Sequence, residues 1–359
     1  MSEMMNALVL TEYKKLVYRQ VPKPAIQANE VLIRVKACGI CGSDIHGYDG
    51  STGRRQPPVI MGHEASGVIE AIGASVEGWA VGDRVTFDST IYCNRCSYCM
   101  HGAVNLCGSR RVLGVSCDDY RQDGAFAEYV AVPAHILYKL PDNVTFDQAS
   151  LVEPLSVALH AVNLCPRELN ASATVIGAGK IGLLIVQALR AAGYGKILVV
   201  DRNAFHRELA LQMGADQAFD FEPDAVQAIR SETDGEGTDI VLEVVGVDEA
   251  FDLALKSARK GGTIVLVGNI TPIVNFPMQW VVTRQLTLRG SCASAGEYPA
   301  CLDMIARGTI RLDKIISATA PLKDGDAWFK RLYTSDGDYV KVVLDRKSTR
   351  LNSSHWLTS

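Results

Sequence analysis

The sequence lacks the long apolar stretch that a membrane-spanning helix needs. Charged residues make up 21% of the 359 positions, and no uncharged run reaches the roughly 20 residues of a spanning segment. The first residues, from Met1 to Asn6, also lack the basic segment and long apolar run of a secretory signal peptide. These absences predict a soluble protein of the cytoplasm.

An excess of positive charge is missing as well. The 36 Lys and Arg are outnumbered by 40 Asp and Glu, which gives a formal net charge of −4. This balance provides no electrostatic attraction for nucleic acid or for an anionic membrane surface. We therefore expect a small molecule as the binding partner, and neither nucleic acid nor a membrane.

Cysteine is too sparse for a disulfide-stabilised scaffold, with ten residues in the whole chain. In a reducing compartment, clustered thiols more often bind metal or carry out chemistry. Four of the ten lie in one short segment with the spacing C-x2-C-x2-C-x7-C, namely Cys93, Cys96, Cys99 and Cys107.

These short gaps let one loop wrap four sulfurs around a tetrahedral ion, which favours a structural zinc site. A four-cysteine iron–sulfur site is the competing interpretation, since C-x2-C-x2-C also opens ferredoxin motifs. The last gap is seven residues here rather than three, and no proline follows Cys107. A closed four-thiolate site leaves no open position, so we expect this metal to hold the loop and not to catalyse.

The chain changes character near residue 147. Before it, short apolar or alternating segments between Gly and Pro predict an all-β, barrel-like unit, with strands at residues 7–10, 31–35, 65–73 and 81–85. After it, a helical pattern over 147–164 leads into alternating strands and helices, which imply a parallel sheet. The predicted strands are 174–176, 196–200, 239–245 and 263–267, and the predicted helices are 179–192, 207–213 and 250–258.

Beyond residue 286 the pattern is mixed again, with helices predicted at 302–307 and 326–333 and a strand at 339–344. This part is either a third unit or a return to the first. Residues 345–355 match the in-frame translation of a common sequencing adaptor. We interpret 345–359 as a non-native, adaptor-derived tail, although a disordered polar tail would share its lack of apolar periodicity.

A glycine-rich turn follows the first strand of the alternating part. It reads G-x-G-x-x-G, with Gly177 for the tight turn, Gly179 for close approach of a pyrophosphate and Gly182 for packing of helix on strand. Lys180 and Ile181 lie inside it, at a helix N-terminus that stabilises phosphate charge. The motif alone is weak evidence, but its position between strand and helix is the one that a dinucleotide site requires.

Asp201 ends the next apolar strand, nineteen residues after Gly182. A carboxylate there would accept hydrogen bonds from the adenosine ribose and repel a 2′-phosphate, which favours NAD over NADP. Arg202 follows directly and either partly offsets this repulsion beside the cofactor or is a solvated surface residue.

Three further segments carry residue types that bind zinc. They are Cys41-Gly42-Ser43-Asp44-Ile45-His46, Gly62-His63-Glu64, and the start of the α/β part at Glu153. Each alone is weak evidence, since a His beside a Glu is more often structural. A Cys, a His and a carboxylate make a catalytic zinc site if the fold brings them together and leaves one position for water or substrate.

In this order, the three segments, the four-cysteine loop and the glycine-rich turn resemble the zinc-dependent medium-chain dehydrogenase family, and within it the polyol, sorbitol-type branch. The resemblance covers about residues 6–344. It implies an α/β fold with a GroES-like β-barrel catalytic domain over residues 1–152 and 288–344 and a doubly wound parallel-sheet Rossmann domain for NAD over residues 153–287. It also implies an active site between the two domains and a homo-oligomer, either a dimer or a tetramer.

The resemblance assigns metal-binding roles to the scattered residues. Cys41, His63 and Glu64 would bind a catalytic zinc, and Glu153 would either bind this zinc or hold its water. The four-cysteine loop would bind a second, structural zinc. Asp44 would orient His63 from behind.

Further roles follow from the same resemblance. Ser43 would hydrogen-bond the substrate hydroxyl, and His46 would be the outer member of a proton relay. The turn that contacts the nicotinamide would comprise Val267, Gly268 and Asn269. Ser291 would lie in a later segment that returns to the cofactor.

The sequence departs from the sorbitol-type pattern at the substrate positions. Gly47 stands where that branch carries a Tyr, with Tyr48 one residue later, and the segment at Ser291 lacks the Arg-Tyr pair that holds polyol hydroxyls. The Arg that many relatives place near the adenosine ribose is His206 here, beside Arg207. Sorbitol itself is therefore disfavoured as the substrate.

We accordingly expect hydride transfer from a secondary alcohol of a sugar alcohol, a sugar phosphate or a similar diol to NAD. An L-threonine 3-dehydrogenase-type amino-alcohol dehydrogenase is the alternative within the enzyme class. A catalytically inactive cofactor-binding protein is the alternative outside it.

Overall fold

The structure is a computed structural model that describes residues 3–345 and 350–351. It divides into two compact units. The first comprises the described residues up to Glu153, Tyr298–Gly308 and those from Leu312 onward, and the second comprises Pro154–Glu297 and Thr309–Arg311. The tail interpreted as adaptor-derived lies outside the described residues, apart from Asp345 and the two-residue strand Arg350–Leu351.

The first unit is built mainly of antiparallel strands. They are β1 Met4–Glu12, β2 Lys15–Pro22, β3 Glu30–Gly39, β4 Val59–Ile60, β5 Glu64–Ile72, β6 Arg84–Phe87, β7 Thr90–Ile91, β8 Arg111–Val112, β9 Val115–Ser116, β10 Arg121–Gln122, β11 Tyr129–Pro133, β12 Leu137–Lys139, and, after the second unit, β19 Ile316–Pro321, β20 Lys341–Asp345 and β21 Arg350–Leu351. Its helices are α1 Gly42–Tyr48, α2 Ser97–Met100, α3 Phe146–Ser150, α10 Tyr298–Ala306 and α11 Gly325–Tyr333, while α4 Val152–Asn163 begins at its boundary.

The largest sheet of this unit follows the order β12-β6-β5-β3-β20-β19-β21, and β11 also pairs with β3. Alternate residues of β3, among them Val31, Ile33 and Val35, enter a core that also contains Phe126 and Phe329. Because β3 pairs antiparallel with both β5 and β20, the end of β3 lies beside the start of each neighbour. This corner of the sheet positions the site described below.

The second unit is a parallel sheet with helices between its strands. The strands are β13 Ser172–Ile176, β14 Lys196–Val200, β15 Gln217–Phe219, β16 Thr238–Glu243, β17 Ala258–Leu266 and β18 Thr287–Gly290. The helices are α5 Lys180–Ala191, α6 Ala204–Gln212, α7 Ala225–Ser231, α8 Asp248–Ser257 and α9 Met278–Thr283.

Across the sheet the strands lie in the order β15-β14-β13-β16-β17-β18. Successive strands are therefore added on one side from β13 to β15 and on the other side from β16 to β18. That is the doubly wound arrangement in which ligands bind beyond the carboxyl ends of the strands, at the point of reversal. The predicted fold class is therefore confirmed. No helix of the described part of the chain is long and apolar enough to cross a membrane.

The strand predicted at residues 196–200 matches β14 at both ends, whereas several boundaries differ elsewhere. Residues 288–297 lie in the second unit, because β18 pairs in parallel with β17 before the chain leaves that sheet. The resemblance instead predicts the return to the first unit at residue 288. The three-residue strand β15 and the helix α7 were not predicted, since neither carries a full apolar period.

Candidate metal centres and dinucleotide site

The four cysteines of the short loop converge. The sulfurs of Cys93, Cys96, Cys99 and Cys107 all lie within 4.8 Å of one another, with 3.5 Å between Cys96 and Cys99 and 4.0 Å between Cys93 and Cys99. Sulfurs that surround zinc at 2.3 Å are about 3.8 Å apart at tetrahedral angles. All four cysteines are free thiols, so the donor set fits a structural zinc.

The protein holds one of these thiols ready for deprotonation. Backbone N–H groups of Arg95 and Cys96 point at the sulfur of Cys93 and lower its pKa to about 6. Burial instead raises the pKa of Cys99 to about 12. A metal ion would have to displace the proton of Cys99, which is the usual coupling between thiolate ligation and metal binding.

The scattered residues Cys41, His63 and Glu64 also converge. Their ligand atoms lie within 4.8 Å of one another. Cys41 follows β3 after one residue, and Glu64 is the first residue of β5, directly opposite Gly39 in the strand register. The pairing of two strands therefore brings the Cys41 thiol to an imidazole and a carboxylate that follow it by 22 and 23 residues. This donor set fits a zinc ion with an open position.

Asp44 lies behind the imidazole of His63. Its Oδ1 is 3.4 Å from His63 Nδ1 and 3.3 Å from the guanidinium of Arg55, and its Oδ2 accepts a 3.2 Å hydrogen bond from the backbone N–H of Cys41. Burial alone would raise the pKa of Asp44, but His63 and Arg55 hold it below its usual range. This contact directs Nδ1 of His63 toward the carboxylate and leaves Nε2 for a metal.

The pKa of His63 reflects the same neighbours. Burial lowers it, whereas the carboxylate of Asp44 and the thiol of Cys41 raise it to about 10. Gly47 makes the arrangement possible from the other side, because a Cβ at this buried glycine would meet the Arg55 side chain. Glycine at position 47, where the sorbitol-type pattern has a Tyr, thus leaves space for the Arg55 side chain that reaches Asp44.

Ser43 and His46 lie on α1, the short helix that begins directly after Cys41. Both side chains are exposed, in contrast to the buried Asp44 between them. Their placement on the first turns of α1 keeps both within a few residues of the Cys41 ligand.

Glu153 stands outside the group formed by Cys41, His63 and Glu64 among the described residues. It occupies the first turn of α4, and its Oε1 accepts a 3.0 Å hydrogen bond from Ser89 Oγ. The backbone N–H of Ser89 points at the phenolic oxygen of the fully buried Tyr298, 3.4 Å away. The Ser89 hydroxyl therefore holds the Glu153 carboxylate, and the contact with Tyr298 holds Ser89 in turn.

Three residues of this region were missed at the level of sequence. Arg55 and Ser89 have no distinctive sequence context, and only the fold brings them to Asp44 and Glu153. Lys341 did carry a signal, since it is a lone charge at the start of the apolar strand β20. Its buried ammonium contacts the Glu64 carboxylate; burial lowers the pKa of Lys341 to about 8, against nearby acidic groups that raise it.

The glycine-rich turn has the shape that a dinucleotide requires. Gly177 adopts a φ of +95°, and a Cβ on Gly182 would collide with the Gly177 carbonyl. Nothing within 4 Å would meet a Cβ on Gly179, the N-cap of α5. Open space in front of this helix N-terminus, where Lys180 and Ile181 form the first turn, fits a bound pyrophosphate.

Asp201 ties the end of β14 to the glycine-rich turn. Its carboxylate accepts hydrogen bonds from the backbone N–H of Ala178 (2.6 Å) and of Asn203 (2.8 Å) and lies 3.4 Å from His206 Nδ1. Burial would raise the pKa of Asp201, but these contacts, led by that with His206, lower it.

The two arginines beside Asp201 have different surroundings. Arg207 bonds the backbone carbonyl of Asp201 and pairs with Asp220 at 3.0 Å, which gives it a structural role. The Arg202 guanidinium lies over the ring of Phe221, 4.7 Å from its centre. Both Arg202 and Phe221 line a cavity of about 910 Å³ at this edge of the sheet.

The segments predicted to contact the nicotinamide part of the cofactor lie at the carboxyl ends of β17 and β18. Val267 and Gly268 donate to the backbone carbonyl of Glu243 at 2.8 and 3.0 Å, and the exposed Asn269 follows. The hydroxyl of Ser291 is buried and has no hydrogen-bond partner among the described residues. An orphaned buried hydroxyl at the ligand-binding edge of a doubly wound sheet fits a site completed by a cofactor.

Two zinc-type donor sets in the first unit and a dinucleotide fold in the second define a zinc-dependent oxidoreductase that uses a nicotinamide cofactor. The chain belongs to the zinc-binding alcohol dehydrogenase family, since the alcohol dehydrogenase GroES-like domain matches residues 27–142 and the zinc-binding dehydrogenase domain matches residues 181–307.

Individual relatives agree with this assignment. The sorbitol dehydrogenase of Bacillus subtilis is 32% identical over 95% of this chain and 97% of its own length, and the D-xylulose reductase A of Aspergillus oryzae is 33% identical over 94% and 96%. A zinc-binding dehydrogenase of Sinorhizobium meliloti, solved with NADP bound, superposes with a TM-score of 0.87 at 32% identity and covers 96% of this chain and 100% of its own. The predicted family, reaction class and cofactor types are confirmed.

Proposed function

We propose that this dehydrogenase oxidises a secondary alcohol of a polyol, a sugar phosphate or a similar diol, with NAD as the hydride acceptor. The convergence of Cys41, His63 and Glu64 carries the proposal. Zinc bound there supplies a Lewis acid for the alcohol oxygen, and the nicotinamide supplies the hydride acceptor. The similarity to a sorbitol dehydrogenase and a D-xylulose reductase supports a polyhydroxylated substrate.

The residues of the chain have separate tasks in this proposal. Cys41, His63 and Glu64 hold the metal, and Asp44 fixes the ring of His63. The Ser43 hydroxyl would accept the proton of the substrate hydroxyl while its own proton passes by way of the cofactor ribose toward the exposed His46, which releases a proton to solvent. Glu153, held by Ser89, orients a water or a substrate hydroxyl beside the metal.

NAD is the proposed acceptor rather than NADP. Asp201 places a carboxylate at the end of β14, where the adenosine ribose of a dinucleotide lies in doubly wound folds. The Arg207 guanidinium pairs with Asp220, which gives it a partner within the protein. The cavity beside Arg202 is the proposed place of the adenine ring, and Gly177–Gly182, Val267–Asn269 and Ser291 are the proposed contacts for the rest of the cofactor.

Sorbitol is not the proposed substrate. Gly47 stands at the position where the sorbitol-type pattern has a Tyr, and the segment Ser291–Ser294 contains no Arg-Tyr pair. The substrate is found by following NADH absorbance over a panel of polyols, sugar phosphates, L-threonine and simple alcohols. Preference for L-threonine would replace the polyol assignment with the amino-alcohol one, and no turnover on any alcohol by fully zinc-loaded protein would favour a non-catalytic binding protein.

Cys41→Ala tests the metal centre on the preferred substrate. We expect a loss of at least about 100-fold in kcat/KM, since even groups behind a metal ligand contribute 10- to 100-fold, together with the loss of one zinc per chain. Cys117→Ala is the matched control, because Cys117 is a free, partly exposed thiol outside both ligand groups. Full activity of Cys41→Ala would refute the assignment.

We also propose a homo-oligomer in the cytoplasm. The large apolar side chains of Ile270, Ile273, Met278 and Val282, between β17 and β18, are more than half exposed. Such a patch is typical of a protein interface, and thiol zinc ligands fit a reducing compartment. Sedimentation should give a dimer or tetramer that Ile273→Glu dissociates and that Leu169→Glu, at an exposed apolar residue outside the patch, does not.

A further inference from the structure

Lys341 is a cation enclosed by protein. It is the first residue of β20 and is 1% exposed. Its ammonium contacts the carboxylate of Glu64, which is also fully buried, and donates a 2.9 Å hydrogen bond to the backbone carbonyl of Ile40. Because neither charge reaches solvent, water screens their attraction little.

The backbone leaves room for this pair. Gly39 lies opposite Glu64 in the pairing of β3 with β5 and opposite Val343 in the pairing of β3 with β20. A Cβ on Gly39 would meet both the Glu64 carboxylate and the Lys341 side chain. A lysine from the end of the chain therefore reaches the carboxylate only because position 39 has no side chain.

The Glu64 carboxylate lies between a candidate metal site and the Lys341 ammonium. Its ligand atom lies within 4.8 Å of those of Cys41 and His63, and its Oε2 faces the ammonium of Lys341. A divalent cation among the three ligands and the ammonium would attract the same negative charge from different directions. The stronger the contact with Lys341, the weaker the bond of Glu64 to a metal.

We propose that Lys341 is a positioning residue that limits how tightly Glu64 binds the catalytic metal, an inference that rests on the function proposed above. With metal bound, Lys341 draws the carboxylate back and makes Glu64 the weakest of the three protein ligands, so that it moves aside when substrate binds. Without metal, Lys341 supplies the counter-charge that a buried carboxylate requires. Lys341 thereby lowers metal affinity and keeps one ligand exchangeable.

The affinity of the catalytic site for Co²⁺ tests this proposal. The titration uses full-length protein that retains zinc in its four-cysteine loop, and the cobalt absorption spectrum is the second readout. In Lys341→Met we expect Co²⁺ to bind about 10- to 100-fold more tightly, because groups behind a ligand change metal affinity by this factor and Lys341, unlike the usual supporting group, opposes the ligand. The ligand-field bands should shift as Glu64 coordinates more closely.

A merely structural lysine gives a different result. Its replacement would destabilise the metal-free and the metal-loaded protein equally and would leave the Co²⁺ affinity and the spectrum unchanged, which would overturn the proposal. Lys341→Gln keeps a donor for the Ile40 carbonyl and serves in place of Lys341→Met if that variant does not fold. In a Glu64→Gln background neither substitution should tighten Co²⁺ binding, and a persisting effect would refute the role of Glu64.

Cys41→Ala separates this inference from the function on which it rests. If wild-type protein binds two metal ions and Cys41→Ala binds one, the catalytic centre stands, and the Lys341 variants alone decide the role of Lys341. If Cys41→Ala binds as much metal as wild type, the centre and the Lys341 inference fail together.

Discussion

Oδ1 of Asp44 lies 3.4 Å from Nδ1 of His63, and both side chains are almost completely buried. The same oxygen lies 3.3 Å from the guanidinium of Arg55. One carboxylate thus faces a cationic partner on one side and a candidate zinc ligand on the other. Removing the Asp44 carboxylate should therefore weaken metal binding through His63 and lower folding stability through Arg55, and the two effects can be measured separately.

Asp44→Asn should lower zinc affinity and kcat/KM by about 10- to 100-fold, the usual effect of losing the partner of a metal-bound imidazole. It should also destabilise the protein by about 3–5 kcal/mol, because Arg55 is left as an unpaired buried charge. Metal analysis and urea unfolding measure the two effects. Adding Arg55→Met to Asp44→Asn should recover stability but not zinc affinity. The exposed Asp119→Asn is the control. Undiminished zinc affinity in Asp44→Asn would contradict the role given to Asp44.

Gly47→Ala should disturb the same contact from a distance. The added Cβ would meet the Arg55 side chain and push it from Asp44, and overpacking of this kind costs about 1–3 kcal/mol. We expect a lower melting temperature and a smaller kcat/KM than in Gly42→Ala, where nothing lies within 4 Å of the new Cβ. Equal behaviour of the two variants would mean that Arg55 does not depend on Gly47.

Cys96→Ser should remove the metal of the four-cysteine loop, since it takes one of four converging sulfurs. Metal binding and folding of such loops are coupled, so the melting temperature should fall by roughly 10 °C, at about 2–4 °C per kcal/mol for a unit of this size. Zinc content should drop by one ion per chain, whereas Cys117→Ser should keep both. Retention of the full zinc content by Cys96→Ser would exclude a four-thiolate site.

The second and third glycines of the dinucleotide turn, Gly179 and Gly182, should respond differently to alanine. In Gly182→Ala the new Cβ collides with the Gly177 carbonyl, so stability falls. In Gly179→Ala the Cβ enters open space, so the fold persists while the Kd for NADH rises by about tenfold, or about 1.4 kcal/mol. NADH fluorescence and thermal melting separate the two, and unchanged NADH binding in Gly179→Ala would argue against a pyrophosphate at this turn.

Local patterns predicted the parts of the molecule whose chemistry is local. The glycine-rich turn and the four-cysteine loop each fit within fifteen residues, so spacing alone indicated their geometry. The set of Cys41, His63 and Glu64 could be anticipated by resemblance only, because no local rule says that the ends of β3 and β5 meet. Whether Glu64 or Glu153 completes it was open in the sequence, and the structure places Glu64 in the converging group and Glu153 beside Ser89.

The contacts of Arg55, Ser89 and Lys341 depend on tertiary packing that sequence patterns do not encode. The same holds for the boundary near residue 297: β18 pairs with β17 as far as Gly290, and Glu297 then contacts His160 of the second unit. Short elements such as β15 could not be predicted either, because three residues define no periodicity.

The neighbour of β3 on one side is β20, a strand that the ribosome adds some 300 residues after β3 itself. A nascent chain that has made only its first unit up to Glu153 already holds Cys41, His63 and Glu64, yet it has no Lys341 to face the acidic ligand. Assembly of the finished metal corner must therefore wait until translation is nearly complete, and a chain cut short before Lys341 would carry every ligand without the cation that restrains Glu64.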